Sequence, residues 1–251
     1  LDAYYIGFLY STSAHSAQSA TNTLLHWFVK VGEAFSIGTV VICGMYNGAE
    51  KYKDAGRALF DTFWITTLCG LFISLVLFFG APWIYSFMGT EDSITQKAIP
   101  FLRIKSVMLF FMYTYFAFVG FLRGIKNTRT PMNIFAIGAV LFVFFDYALI
   151  FGKFGLPELK LKGSATASLI QYVSMNILVM AVVLFNEEYK KYSLSLLRHG
   201  FNWGNIKRFV ALSWPVMLDK SSIAIAYIWI SKMTGPMGKV AVSSFGAIKE
   251  L

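Results

Sequence analysis

Residues 121–168 read FLRGIKNTRTPMNIFAIGAVLFVFFDYALIFGKFGLPELKLKGSATAS. Two apolar runs meet in this stretch, one from Pro131 to Gly152 and one that starts at Gly163 and continues past the quoted residues to Phe185. Each is long enough to cross the hydrocarbon of a bilayer as a helix, which takes about 20 residues. The first run is preceded by a basic turn with Arg123, Lys126 and Arg129, and the two are separated by a loop with Lys153, Lys160 and Lys162. The runs are continuously apolar, whereas barrel strands alternate apolar and polar residues, so helices are predicted. A single acid, Asp146, interrupts the first run six residues before its end.

Extending the same window along the chain predicts a membrane bundle throughout. Further spans fall at about Thr21 to Tyr46, Leu59 to Met88, Leu102 to Leu122 and Phe209 to Met233, with Leu1 to about Tyr10 as the second half of another. That makes six complete spans and one stub. Composition agrees: 57% of the 251 residues are hydrophobic and only 14% charged, with a mean hydropathy of +0.60, unlike a soluble domain. The formal charge of +9 sits between apolar runs, as in membrane loops, so nucleic acid is not expected as a partner. Cys43 and Cys69 have no spacing suited to a disulfide framework or a zinc site. No signal peptide is visible, and the chain reads as a piece whose upstream helix is cut.

The Lys/Arg bias orients the spans. Lys51, Lys53 and Arg57 follow the second span, Arg123, Lys126 and Arg129 come two loops later, and Lys190, Lys191, Arg198, Lys207 and Arg208 two loops further on. This richer set is expected to be cytoplasmic. Helical rise then gives depth below the outer face: roughly 12 Å for Asp2, 9 Å for Asp146, 13 Å for Lys30 and 18 Å for Glu33. Four ionisable groups are thus expected in one layer of the outer half. An ionisable group at such depth is expensive unless it faces protein or water, which makes each a candidate functional residue.

Leu122-Arg123-Gly124, Thr128-Arg129-Thr130-Pro131 and the block Asp146 to Gly152, with Gly163-Ser164-Ala165-Thr166-Ala167-Ser168 opening the next helix, resemble the multidrug and toxic compound extrusion (MATE) family. The opening Leu1-Asp2-Ala3-Tyr4-Tyr5-Ile6-Gly7 is similar to the first-helix motif of that family. The resemblance implies an all-α polytopic bundle, one six-helix lobe of a twelve-helix, two-lobe transporter. On it, residues 1–192 form the N-lobe, 193–208 a cytoplasmic linker, and 209–251 the start of the C-lobe. A short echo of Tyr5-Ile6-Gly7 in Trp229-Ile230-Ser231 fits such parallel repeats.

The same resemblance implies antiport, with an organic, often cationic, compound exported against H⁺ or Na⁺ and no other cofactor. It assigns Asp2, Asp146 and Ser168 to the coupling cation, which would include metal ligation by Asp2 and Asp146 if the ion is Na⁺. Phe142 stands where the family has an Asn, which removes an oxygen ligand and favours protons. Two carboxylates sharing a poor dielectric can hold one proton between them and titrate as a unit. A proton and a drug cation would then compete for one charge cluster while the lobes rock around it.

Other candidates come from the residues themselves. His26, Lys30 and Glu33 share a helix face and read either as a neutralising pair or as a proton relay. Asp219, beside Lys220 near mid-membrane in the last span, is a candidate C-lobe acid. Tyr113, Tyr115 and Gln171 offer polar tips at depth for substrate. Trp27, Trp83, Tyr85 and Trp203 read as interfacial anchors. No nucleophile triad, phosphate loop or metal cluster is visible, and His15, His26 and His199 fall in two loops and a helix, so neither an enzyme nor ATP use is expected. The expected partners are small organic cations and the bilayer of a prokaryotic inner membrane, around a monomer. The alternative is a flippase for lipid-linked intermediates, which would need a cationic cavity.

Overall fold

The computed structural model describes residues 12–87, 92–194 and 201–234. The stub to Tyr10, with Asp2 and the first half of the echo, and His199 lie outside them. Six α-helices follow in order: α1 (Thr12–Gly48), α2 (Tyr52–Phe87), α3 (Asp92–Gly124), α4 (Arg129–Phe151), α5 (Leu161–Phe185) and α6 (Trp203–Thr234), with a 3₁₀ segment, Glu187–Tyr192, between α5 and α6. The first five are long and apolar enough to cross a membrane.

The sixth expected span, Phe209 to Met233, lies within the helix α6. One expectation changes. The first helix starts at Thr12 rather than near Thr21, so His15 is helical and not in a loop. At 37, 36 and 33 residues, α1, α2 and α3 exceed the 20 or so needed to span, so their ends project beyond the hydrocarbon.

The third helix is the axis of the bundle. It packs against α1, α2 and α5, while α4 lies on α5 and α6 on α1. Its buried side includes Phe101, Leu102, Leu109, Met112, Phe118, Phe121 and Leu122. Both outer helices turn large side chains away from the protein: Phe72, Phe79 and Trp83 on α2, and Met132, Phe135 and Val140 on α4. In a bundle of apolar helices these faces meet lipid.

Small residues set the crossings. A Cβ on Gly120 would lie 2.6 Å from the Ser36 carbonyl oxygen, and one on Gly124 2.9 Å from that of Val40, so α1 and α3 touch backbone to backbone. The small-xxx-small spacing does here what it does between membrane helices generally. A Cβ on Gly163 would lie 2.7 Å from the Leu149 carbonyl, which brings the start of α5 onto the end of α4. Gly152 ends α4 in the left-handed conformation, φ 64°, with its N–H on the Ala148 carbonyl. Asn127 accepts from the Thr130 N–H at 3.1 Å and Pro131 sits in the first turn of α4. The glycines and proline of the quoted stretch are thus crossings, a cap and a helix start.

Candidate functional site

Asp146 of α4 is fully buried. The contacts of Gly163 with Leu149–Ile150 and of Gly138 with Met175 fix the antiparallel register of α4 and α5. That register places Asp146 level with residues 166–168. Ser168 of α5 is also buried, and its hydroxyl donates to the Ser164 carbonyl at 3.1 Å while accepting from Lys105 Nζ of α3 at 2.7 Å. Lys105 is 8% exposed, and its ammonium also lies 5.4 Å from the centre of the Phe101 ring. An acid, a hydroxyl and an ammonium from three helices therefore occupy one layer.

The span predicted from the sequence starts at Leu102, which puts Lys105 in its first turn. The helix begins at Asp92, and Lys105 lies some 20 Å along it. The missing signal was the helix start: Pro100 stands inside α3, not before it. Asn176 was missed as well. Its amide donates to the Phe111 and Tyr172 carbonyls, and its oxygen accepts from Thr114 at 2.8 Å, forming a second polar rung between α3 and α5. It lies roughly 12 Å further along α5 than Ser168. Phe142, in the position of the family Asn, is half-buried.

Lys30 and Glu33 pair at 2.9 Å, both half-buried. They do not share the layer of Asp146. The contacts of Gly32 with Tyr113 and Phe116, and of Gly120 with Ser36 and Thr39, set a parallel register that puts Lys30 level with Met112 and Glu33 level with Tyr115. The pair therefore lies roughly 10–15 Å beyond Lys105. The physical reason is the early start of α1, which adds nine residues above Thr21. His26, half-buried, lies one turn before Lys30.

The two tyrosines of α3 are engaged in packing. Tyr113 is fully buried, its hydroxyl donates to the Phe28 carbonyl at 2.6 Å, and its ring fills the space left by Gly32 and Gly70. Tyr115 is 4% exposed, with its hydroxyl 3.4 Å from the Pro131 carbonyl and its ring edge-on to Tyr172. Gln171 is half-buried and lies beside Gly138. Asp219 is exposed and pairs with Lys220 at 3.8 Å. Trp83 and Trp203 are exposed as anchors would be. Tyr85 is instead fully buried on the Thr21 hydroxyl, and Trp27 donates to Ser221 of α6 at 2.9 Å.

At the basic end, where α1, α3 and α5 finish, polar side chains form a second cluster. Asp61 of α2 is 1% exposed and accepts from the Asn202 N–H at 3.1 Å and the Asn205 amide at 2.8 Å. Asn205 in turn accepts from the Tyr46 hydroxyl at 2.8 Å. Tyr192 donates to Asn47 at 2.7 Å and Asn127 to Tyr189 at 2.7 Å. Burial and the neighbouring Tyr52, Tyr189 and Cys43 push the Tyr192 phenol up from its usual value, which keeps it a donor. The start of α6 thus lies inside the expected linker, from Trp203, tied to α1 and α2.

A family model described as MatE matches residues 1–148. A protein of Thermotoga maritima named "Probable multidrug resistance protein NorM" is 28% identical over 225 residues, which cover 87% of this chain and 46% of the relative. A Bacillus cereus protein of the same name is 25% identical over 180 residues, 72% of this chain and 40% of the relative. The chain thus spans about half the length of the curated relatives it matches. Among solved structures, a transporter of the MOP superfamily from Pyrococcus furiosus, described as having a binding pocket of reverse polarity, superposes with a TM-score of 0.88 at 18% identity, covering 99% of this chain and 54% of its own. That likeness carries the fold, a bundle of long apolar helices, and the family match carries the rest: this chain belongs to the MatE family and is a multi-pass plasma-membrane protein.

Proposed function

We propose that the protein takes part in secondary active export of small organic compounds, driven by protons, with its seat in the layer of Asp146, Ser168 and Lys105. The observation that carries this reading is a fully buried carboxylate, inside a membrane-spanning helix, level with a buried ammonium held on a hydroxyl at 2.7 Å. Such groups at depth are expensive and are kept where charge must be handled. The names of the relatives support multidrug resistance as the setting.

Charge balance supports protons as the ion. Asp146 and Lys105 cancel when both are charged; the family resemblance adds Asp2, and with both acids ionised the net charge would be minus one, which attracts an organic cation. Uptake of one proton cancels that charge, and a second makes the layer positive and repels the cation. Proton and substrate then exclude each other electrostatically, which is the thermodynamic requirement for exchange. Na⁺ is a poorer fit: it needs several oxygen donors, Phe142 offers none, and the Ser168 hydroxyl is already occupied by an ammonium. His26, Lys30 and Glu33 would serve this reading as a path toward the opposite face.

The test is efflux of a fluorescent organic cation from proteoliposomes of the intact protein, with pH and Na⁺ gradients imposed separately. Efflux is expected to follow the pH gradient alone, and Lys105→Met to weaken that dependence. Transport driven by Na⁺ at fixed pH overturns the coupling. The buried ammonium also favours a second reading, export of an anionic or lipid-linked substrate, in keeping with the reversed polarity named for the Pyrococcus protein. An anionic probe moved by the wild type and abandoned by Lys105→Met would select it.

A further inference from the structure

At the basic end of the bundle, a cavity of about 430 Å³ opens between the last turns of α1 and the first turns of α6. Its walls are apolar, with Ile42 and Met45 on one side and Ala211 and Leu212 on the other. Two cations stand on its rim, Lys51 and Arg208. Lys51 is held there by the turn that ends α1, where its N–H donates to the Tyr46 carbonyl at 2.9 Å and Glu50 takes a left-handed φ of 59°. Arg208 lies five residues into α6, about 8 Å from its start.

Some cations near helix ends have carboxylate partners, as Arg57 has Asp54, Lys160 has Glu158 and Lys190 has Glu187. Lys51 and Arg208 are exposed, and among the described residues neither is in an ion pair. Two uncompensated charges over an apolar cleft, at the level where the helices leave the hydrocarbon, have the chemistry of a phosphodiester headgroup on acyl chains. Basic pockets between helix ends on the Lys/Arg-rich side of a membrane protein bind anionic lipid in this way.

We propose that this cleft is a binding site for an anionic phospholipid, with Lys51 and Arg208 on the phosphate and an acyl chain between Met45 and Leu212. The site is remote from the Asp146 layer and does not depend on the transport reading. It has a structural consequence. Tyr46 lines the cleft and its hydroxyl donates to Asn205, which donates to Asp61, so a bound lipid braces the start of α6 where α1 and α2 hold it.

The test is native mass spectrometry of the intact protein in detergent, titrated with phosphatidylglycerol or phosphatidylcholine of identical acyl chains. Phosphatidylglycerol is expected to be retained preferentially, and Lys51→Ala/Arg208→Ala to weaken its retention about thirtyfold, at about one charge contact per residue. The equally charged neighbours supply the control: Lys53→Ala/Lys207→Ala should leave retention unchanged. Ala211→Phe keeps both cations and fills the cleft, and it should lose the lipid too, which keeps the test decisive if the double variant does not fold. Equal retention of the two lipids overturns the proposal and assigns the cleft to a protein segment or to unselective lipid. Displacement by glycerol phosphate as effective as by phosphatidylglycerol, or full retention in Ala211→Phe, overturns it in favour of a soluble anion.

Discussion

Two buried carboxylates stand at opposite ends of this bundle, and their surroundings differ in kind. Asp61 accepts a backbone N–H and a side-chain amide from the start of α6, and the amide is fixed in turn by Tyr46. Among the described residues, each of its oxygens accepts from a neutral donor at the start of α6. Asp146 lies level with a hydroxyl that carries an ammonium, between helices that cross through glycines. The first arrangement fixes the chain by hydrogen bonds between elements. The second gathers opposite charges where a proton changes the balance. Burial alone therefore does not separate the two acids; on the proposed function, what shares the layer of Asp146 does.

The largest separation of the two is expected from Asp146→Asn, which should abolish proton-driven efflux while leaving the melting midpoint in detergent close to wild type. Full pH-driven transport by this variant would erase the distinction. Next comes Asp61→Ala, which strands the Asn205 amide and the Asn202 N–H and should destabilise the protein by about 3 kcal/mol, read as a lower melting midpoint. An unchanged midpoint would show that Asp61 is not a clasp. The smallest effect belongs to Glu33→Gln. Its pair with Lys30 is half-exposed, and such pairs contribute about 0–1 kcal/mol, so stability should hardly move. An unchanged pH profile of efflux in this variant would remove the relay and leave Lys30–Glu33 as a neutralising pair.

Much of this bundle was legible because membrane helices write their limits in composition. The runs ending at Gly152 and Phe185 match α4 and α5 to within a residue or two, since Gly152 is a left-handed cap and Pro131 a first-turn residue. The long helices were less legible at their ends. Polar residues such as those of 12–20 can continue a helix once it leaves the hydrocarbon, and no local signal separates that from a loop. Depth counted from a misplaced start carried the same error into Lys30 and Glu33. The span start at Leu102 hid the depth of Lys105 for the same reason, and Tyr85 was read as an anchor because a tyrosine hydroxyl can face water or a buried Thr21 equally well. The aromatic positions of α3 show a further limit. Tyr113 and Tyr115 have polar tips at depth, but only the approach of α1 at Gly32 and of α4 at Pro131 decides that those tips meet carbonyls.

From the residues alone came the class of molecule, the positions of most spans, the buried acid at 146 and the family pattern around it. These follow from transfer free energy and backbone hydrogen bonding, which act on each segment separately. Only the packed structure decided which charges share a layer, because that depends on register between helices, and register is set by close contacts such as Gly120 on Ser36 and Gly163 on Leu149. The partnership of Lys105 with Ser168, the clasp on Asp61 and the cleft beneath Lys51 and Arg208 join residues from 63 to well over 100 positions apart. No local pattern specifies such a distance, since it arises only when the helices settle against one another.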